Sequence, residues 1–197
     1  MEANVDLSPA QLSQMLKTGQ RPLWLAHMNL SGADLTGADL AQARLLRVNL
    51  TGANLRGANL SGVDLTYATL NRADLSGAIL SRAVLNGADL SEANLTGTDL
   101  SGADLSRATL TGANLTEALL PAVNCSESNL SRAELSRAEM TDINLTEAIL
   151  AGANLSGANL SRAILREADL TGANLDGAIL TDADTEFTIM PDGTVNE

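Results

Sequence analysis

The chain has 197 residues, room for one domain or one repeat array, and its 45% hydrophobic content is supplied almost wholly by alanine and leucine. Twelve basic against 24 acidic residues leave a formal charge of −12, which argues against nucleic-acid and anionic-membrane partners, since phosphate contacts need lysine and arginine. One cysteine, Cys125, excludes an intrachain disulfide and any multi-cysteine metal site, and with Trp24, Tyr67 and Phe187 as the only aromatics the core must come from a regular lattice of small aliphatic groups.

The first expected element is a capping α-helix over about residues 9–18, within an N-terminal segment 1–25. Ser8 suits the N-cap, Pro9 the first turn, and Gln11 completes a capping box. Leu12, Met15 and Leu16 make one apolar face, and Gly19 ends the helix. Together with Trp24 these residues are expected to cover the first layer of the structure built by residue 26 onward, because open sheet edges invite pairing with other chains. The start lacks a basic, apolar leader pattern and no apolar run reaches transmembrane length, so the expectation is a soluble, cytoplasmic protein.

Residues 26–182 are expected to form a single repeat array. From Leu30 to Leu180 every fifth residue is leucine, except Cys125 and Met140. Two residues before each stands alanine, replaced only by Met28, Val48, Val63, Thr98, Val123, Ser128 and Ile143. Asp or Asn usually separates the pair, and Ser or Thr followed by Gly, Arg or Glu comes after it. Period five suits neither a helix nor a flat strand. A short extended segment with alanine and leucine inward, Asp or Asn outward, then a turn, satisfies it. Turning in one sense, such a chain winds into stacked coils whose stability is a sum over neighbours. Burying each leucine contributes roughly 1.5–3 kcal/mol. Residues 183–197 leave the pattern. Phe187, Ile189 and Met190 are expected to cover the last coil, with Pro191-Asp192-Gly193 as a turn.

The tandem pattern, as in "ADLTGADL" (Ala33 to Leu40), resembles the pentapeptide-repeat proteins, in particular leucine-centred cyanobacterial members. The resemblance implies an all-β fold: a right-handed quadrilateral β-helix with one pentapeptide per face, 20 residues per coil and about eight coils. Stacked at about 4.8 Å, these make a rod roughly 38 Å tall.

Catalytic residues are not expected. His27 reads as an ordinary surface residue and Cys125 as a small core residue. Serines and threonines sit in repeating turn slots, and the aspartates read as braces for those turns. No cofactor or metal is expected. Charge is lopsided, with 14 acidic and 4 basic residues in 117–197 against 10 and 8 in 1–116. On a 20-residue coil, Glu127, Glu147 and Glu167 stack in one column, where like charges repel. With Glu134, Glu139 and Asp142 they make an acidic surface, which reads either as a solvated, solubilising face or as the candidate docking face for a basic protein. Opposite charges pair in other columns, Arg72 with Glu92 and Glu117 with Arg137. A spacing of 15 would instead pair Glu92 with Arg107. Apolar residues in the outward slot (Ile79, Val84, Leu119, Ile149, Ile164 and Ile179) are expected to be shielded by the stacking. The end contacts are Leu12, Met15, Leu16, Trp24, Phe187, Ile189 and Met190, and the chain is expected to be a monomer or an end-to-end homodimer.

The functional expectation is a non-enzymatic protein-binding, scaffold or regulatory module. The alternative is a DNA mimic acting on gyrase or topoisomerase, as in the family's quinolone-resistance branch. That branch, by the resemblance, favours phenylalanine in the core and often carries a loop and a dimerising C-terminal helix, which this chain lacks. A charge of −12 over about 38 Å is also sparser than the one per roughly 1.7 Å of duplex DNA.

Overall fold

The computed structural model describes Leu12 and residues 23–197. One pentapeptide, Ala93 to Gly97, shows why the sequence adopts this fold. All five of its N–H groups find an acceptor. Asn94 N–H donates to Ala73 O in the coil before (2.9 Å), and Leu95 N–H to Asn114 O in the coil after (2.6 Å). Gly97 N–H also reaches the coil after, at Thr116 O (3.0 Å), while Ala93 N–H closes the preceding turn on Leu90 O (3.0 Å). The fifth donor, Thr96 N–H, is taken by the Asn94 side-chain Oδ1 at 3.2 Å. The outward Asp or Asn is therefore a structural acceptor, completing the backbone accounting that a buried ladder requires.

The second turn residue has a left-handed φ near +60° throughout, while the first does not, which is the pattern of a type II turn. Glycine adopts this region at no steric cost.

Parallel bridges link residue i to i+20 without a slip, from Trp24–Arg44 to Asp169–Ile189. A coil is thus four pentapeptides. Each side contributes a single bridging residue, so among the described residues the β structure is a set of ladders with no extended strand. Face I carries outward residues 24, 44, 64 and so on to 184; face II, 29 to 189; face III, 34 to 174; face IV, 39 to 179. Each corner is named for the faces that it joins. Inside, leucine and alanine are fully buried over most of the length. Cys125 occupies one leucine position, buried, and its thiol is pushed up to about 12 by desolvation and, secondarily, by the charge of Asp104. The polar replacements in the alanine position are satisfied: Thr98 Oγ1 donates to Leu75 O at 2.9 Å and Ser128 Oγ to Cys125 O at 2.6 Å.

Where the outward slot is apolar, no side-chain acceptor exists for the N–H two residues on. Two of these slots, Leu119 and Ile189, are followed at that position by Pro121 and Pro191, which have no N–H.

The ends differ from expectation. The helix over 9–18, with Met15 and Leu16, lies outside the described residues, except that Leu12 is helical and buried against the core. Trp24 does not cover the first coil. It takes the outward slot of face I, is 66% exposed, and lies under the Arg44 guanidinium, 5.9 Å from its ring centroid. At the other end the ladder runs on through Asp184 and Ile189. Thr188, in the alanine position, is buried with its hydroxyl on Leu165 O (2.6 Å), and Met190 takes a leucine position. The chain then turns at Pro191 and doubles back along face II, where Phe187 N–H donates to Asn196 O (2.7 Å) and Asn196 N–H to Thr188 O (2.9 Å). Phe187 itself occupies a corner and is 51% exposed.

Candidate docking surface

The four sides of the rod share one core but not one exterior. Nineteen non-glycine residues hold the left-handed corner conformation. Fourteen of them lie on the two corners that flank face I, and five on the corners that flank face III. The glycines are distributed inversely. Gly32, Gly52, Gly112, Gly152 and Gly172 line one corner of face III, and Gly37, Gly57, Gly77, Gly97, Gly157 and Gly177 the other. Only Gly62, Gly87 and Gly102 stand beside face I. A side chain in this backbone region costs of order 1 kcal/mol or more relative to glycine. Face I is therefore bordered by side chains held at an energetic cost, and face III by the residue that avoids it.

All three aromatics fall on the face I side. Tyr67 and Phe187 stand on corner I/II, and Trp24 on face I itself. Tyr67 is 55% exposed, with the Arg47 guanidinium 5.6 Å from its ring centroid. Its ring lies over Gly87, where a Cβ would come within 2.5 Å of Tyr67 Cε1. A surface groove of about 540 Å³ opens beside it, lined by Gln42, Arg44, Gly62, Asp64, Thr66 and Val84.

The acidic residues are placed as follows. Glu127, Glu147 and Glu167 do stack on corner I/II. Glu127 is not a repelling member, because Arg107 binds it through two hydrogen bonds of 3.0 Å and holds its carboxyl below the ordinary value. Glu147 and Glu167 are exposed and have no ion pair among the described residues. Asp142 lies on corner IV/I, bound by Arg162 through two hydrogen bonds (2.7 and 2.6 Å) that lower its carboxyl pKa. Glu134 and Glu139 do not join this group. They sit on faces III and IV, either side of the diagonally opposite corner, and accept from Asn154 Nδ2 (2.9 Å) and Asn159 Nδ2 (3.1 Å). The six acids are therefore not one face.

Elsewhere the lattice keeps like charges apart. In all four outward columns no acidic residue lies directly above another. The corner pairs Arg72–Glu92 (2.8 Å) and Glu117–Arg137 (3.2 Å) follow the 20-residue spacing, and Arg107 turns to Glu127 rather than to Glu92. Glu127–Glu147–Glu167 is the one vertical run of acids among the described corner and slot columns. Ile149 on face II and Ile164 on face I flank it. The apolar slot residues are not shielded: Ile79, Val84, Leu119, Ile149, Ile164 and Ile179 are 39–49% exposed, because the bridging residue of each coil points directly outward. None stands on face III.

The sequence-level signal for this sidedness was the corner residue, read down columns of twenty rather than along the chain. His27 is exposed at the head of corner I/II. Among the described residues no group of three His, Cys, Asp or Glu side chains could hold a metal ion, and no helix is long and apolar enough to cross a membrane.

The family model described as pentapeptide repeats matches in overlapping stretches from residue 29 to residue 182. The chain belongs to the pentapeptide-repeat family. The family's right-handed quadrilateral β-helix accounts for the four-sided coil, and its members are generally structural or binding proteins. HetL from the cyanobacterium Nostoc sp. strain PCC 7120, a pentapeptide-repeat protein involved in heterocyst differentiation regulation, is 41% identical, covering 88% of this chain and 81% of its own, with a TM-score of 0.49. A trypsin-treated form of QnrB1, a plasmid-mediated fluoroquinolone resistance protein, is 22% identical over 82% of this chain and 89% of its own, with a TM-score of 0.69. Rfr23 from the cyanobacterium Cyanothece 51142 is 39% identical over 50% of this chain and 64% of its own, with a TM-score of 0.44. Among curated proteins none matches this chain.

Proposed function

We propose that this pentapeptide-repeat protein is a non-enzymatic docking rod, a scaffold or regulatory module that engages protein through face I and its two corners. One observation carries the reading: fourteen of nineteen strained corner side chains border this face. Backbone strain kept on one side and avoided on the other, over an identical core, points to a use for the side chains that it displays. The composition agrees, since tryptophan, tyrosine and arginine anchor protein interfaces. The acidic end of the surface, Glu147 and Glu167 with Ile149 and Ile164 beside them, suits a basic partner that also presents apolar side chains.

The test is capture from a soluble extract of the host at about physiological salt, where screening acts over about 8 Å. Native protein is compared with a Glu147→Gln/Glu167→Gln variant and with a control of equal charge change on the corners of face III, Glu92→Gln/Glu117→Gln. A partner lost with the first variant and kept with the second supports the reading. A partner lost with the face III variant alone overturns it. The gyrase-directed alternative is not the favoured reading: the likeness to QnrB1, at 22% identity, concerns the fold, and acids interrupted by asparagine and arginine do not form duplex-like tracks.

A further inference from the structure

The docking side is charge-antisymmetric along the rod. Before the middle coil that holds Asp104 and Arg107, its N-terminal part, faced by Trp24, His27, Arg44, Arg47 and Tyr67, is cationic and aromatic, with Asp64 its single acid. Its C-terminal half carries Asp142, Glu147, Glu167, Asp182, Asp184 and Glu186 against Arg162 and Arg166. Arg166 is already held by Asp184 (2.6 Å) and Glu186, and Arg162 by Asp142. Arg44 is likewise held by Asp64 (3.6 Å), so the charges left without an ion partner among the described residues include Arg47 at one end and Glu147 and Glu167 at the other.

We infer that face I and corner I/II bind the same surface of a second copy, the two rods lying side by side and antiparallel. This rests on the docking-side reading and names its occupant. An isologous contact requires a surface complementary to itself under a two-fold rotation. A two-fold axis at the level of Arg107 brings the unlike ends of corner I/II together. It sets Arg47 against Glu167, Tyr67 against Glu147 and Gly87 against Glu127. His27 then faces Phe187, and on face I Arg44 faces Ile164 and Trp24 faces Asp184. At the axis Arg107 meets its own copy, each already neutralised by its own Glu127, and on face I Asp104 meets its own copy, each carboxylate already accepting hydrogen bonds from Ser106 and Asn124. Arg47 and Glu167 are six coils apart, about 29 Å at the ~4.8 Å spacing of stacked strands, so they cannot pair within one chain. The expected end-to-end arrangement is opposed by charge. The last coil and tail carry Asp176, Asp182, Asp184, Glu186, Asp192 and Glu197, and a two-fold contact there would set acid on acid.

Sedimentation of the full chain at about 20 mM and about 500 mM salt decides the matter, since screening length falls severalfold between them. The expected result is a dimer at low salt that dissociates at high salt. Arg47→Glu and Glu167→Arg should each break it, and the double variant should restore it. Each contact occurs twice in the dimer, so a single swap should weaken association by about a hundredfold if each contact is worth about tenfold. Both substitutions place at a corner a residue type that other corners already hold, so circular dichroism should be unchanged. A chain that stays monomeric at low salt up to about 100 µM, a range reached by small interfaces, overturns the inference. So does a dimer indifferent to both swaps, which would move the contact to the rod's ends. Neither result touches the docking-side reading, which the capture experiment judges with variants of its own.

Discussion

Faces I and III are opposite sides of one rod. They share the same leucine and alanine core, the same coil spacing and the same hydrogen-bond ladder. They differ in what each asks of the turns beside it. Face III is an unbroken polar column (Asp34, Asn54, Asp74, Asn94, Asn114, Glu134, Asn154, Asn174) bordered by eleven glycines. Of the five side chains on its corners, four neutralise one another as Arg72–Glu92 and Glu117–Arg137. Face I interrupts its column with Trp24, Arg44, Val84 and Ile164 and is bordered by fourteen strained side chains. The difference teaches that stability and display are separated by side in this rod. The repeat makes the separation easy, because any corner can be changed without disturbing the core.

The largest test concerns what the two sides share. Leu95 beneath face III and Leu105 beneath face I are both fully buried. Replacing either with alanine should cost about 2–5 kcal/mol, through lost burial and the residual cavity. Chemical denaturation should return the same loss for both. Values differing by more than about 1 kcal/mol would mean that the sides are unequal inside as well as outside, undoing the comparison.

Corner conformation comes next. At Gly77, beside face III, φ is +63° and an added Cβ would meet nothing within 4 Å. Gly77→Ala therefore isolates the backbone cost and should destabilise by about 1 kcal/mol. Glu147→Gly beside face I should do the reverse, gaining up to about 1 kcal/mol while removing a docking contact. A Glu147→Gly variant that loses stability would show that the side chain serves the fold, and the strain argument would fail.

Much of this was legible in the sequence. Period five, the inward pair and the bracing role of Asp and Asn all follow from spacing, and Thr96 N–H on Asn94 shows the brace at work. The C-terminal coil was harder to read, because Thr185 and Thr188 stand where leucine and alanine are expected, and only the Thr188 bond to Leu165 O explains its burial. Trp24 and Phe187 misled through size. Large apolar side chains suggest a cap, but their positions in the repeat, an outward slot and a corner, fix them outside. The six-acid face failed for a related reason. Glu134 and Glu139 are near Glu127 in the chain yet are carried a half-turn around the coil.

A smaller effect separates bracing from display on face I itself. Ile164 leaves the Arg166 N–H without the side-chain acceptor that Asn94 gives to Thr96. Ile164→Asn should supply it and stabilise the rod by about 0.5–1 kcal/mol, a typical net hydrogen bond, while weakening association through face I. Equal affinity after the change would remove Ile164 from the docking surface.

Acid titration gives the smallest expected effect. On the face I side, Arg107 lowers the pKa of Glu127 and Arg162 that of Asp142, from ordinary values of 4.5 and 3.8. A carboxyl with a depressed folded pKa contributes stability that is fully present above its ordinary value and is lost as pH falls through the folded one. The native rod should therefore lose stability below about pH 4.5, and an Arg107→Ala/Arg162→Ala variant should lose less over the same range. On the face III side Asp74 is also lowered: desolvation works against it, but hydrogen bonds from Ser76, the charge of Arg56 and a bond from Asn94 prevail. Both variant arginines are beside face I, so this share of the acid response should persist when they are removed. The pairs at Glu127 and Asp142 are solvent-exposed and so contribute little, and the comparison is read from the change in slope of the melting temperature against pH. Parallel slopes for the native and variant rods would assign the whole acid response to braces like Asp74. The charges on the face I side would then serve association alone.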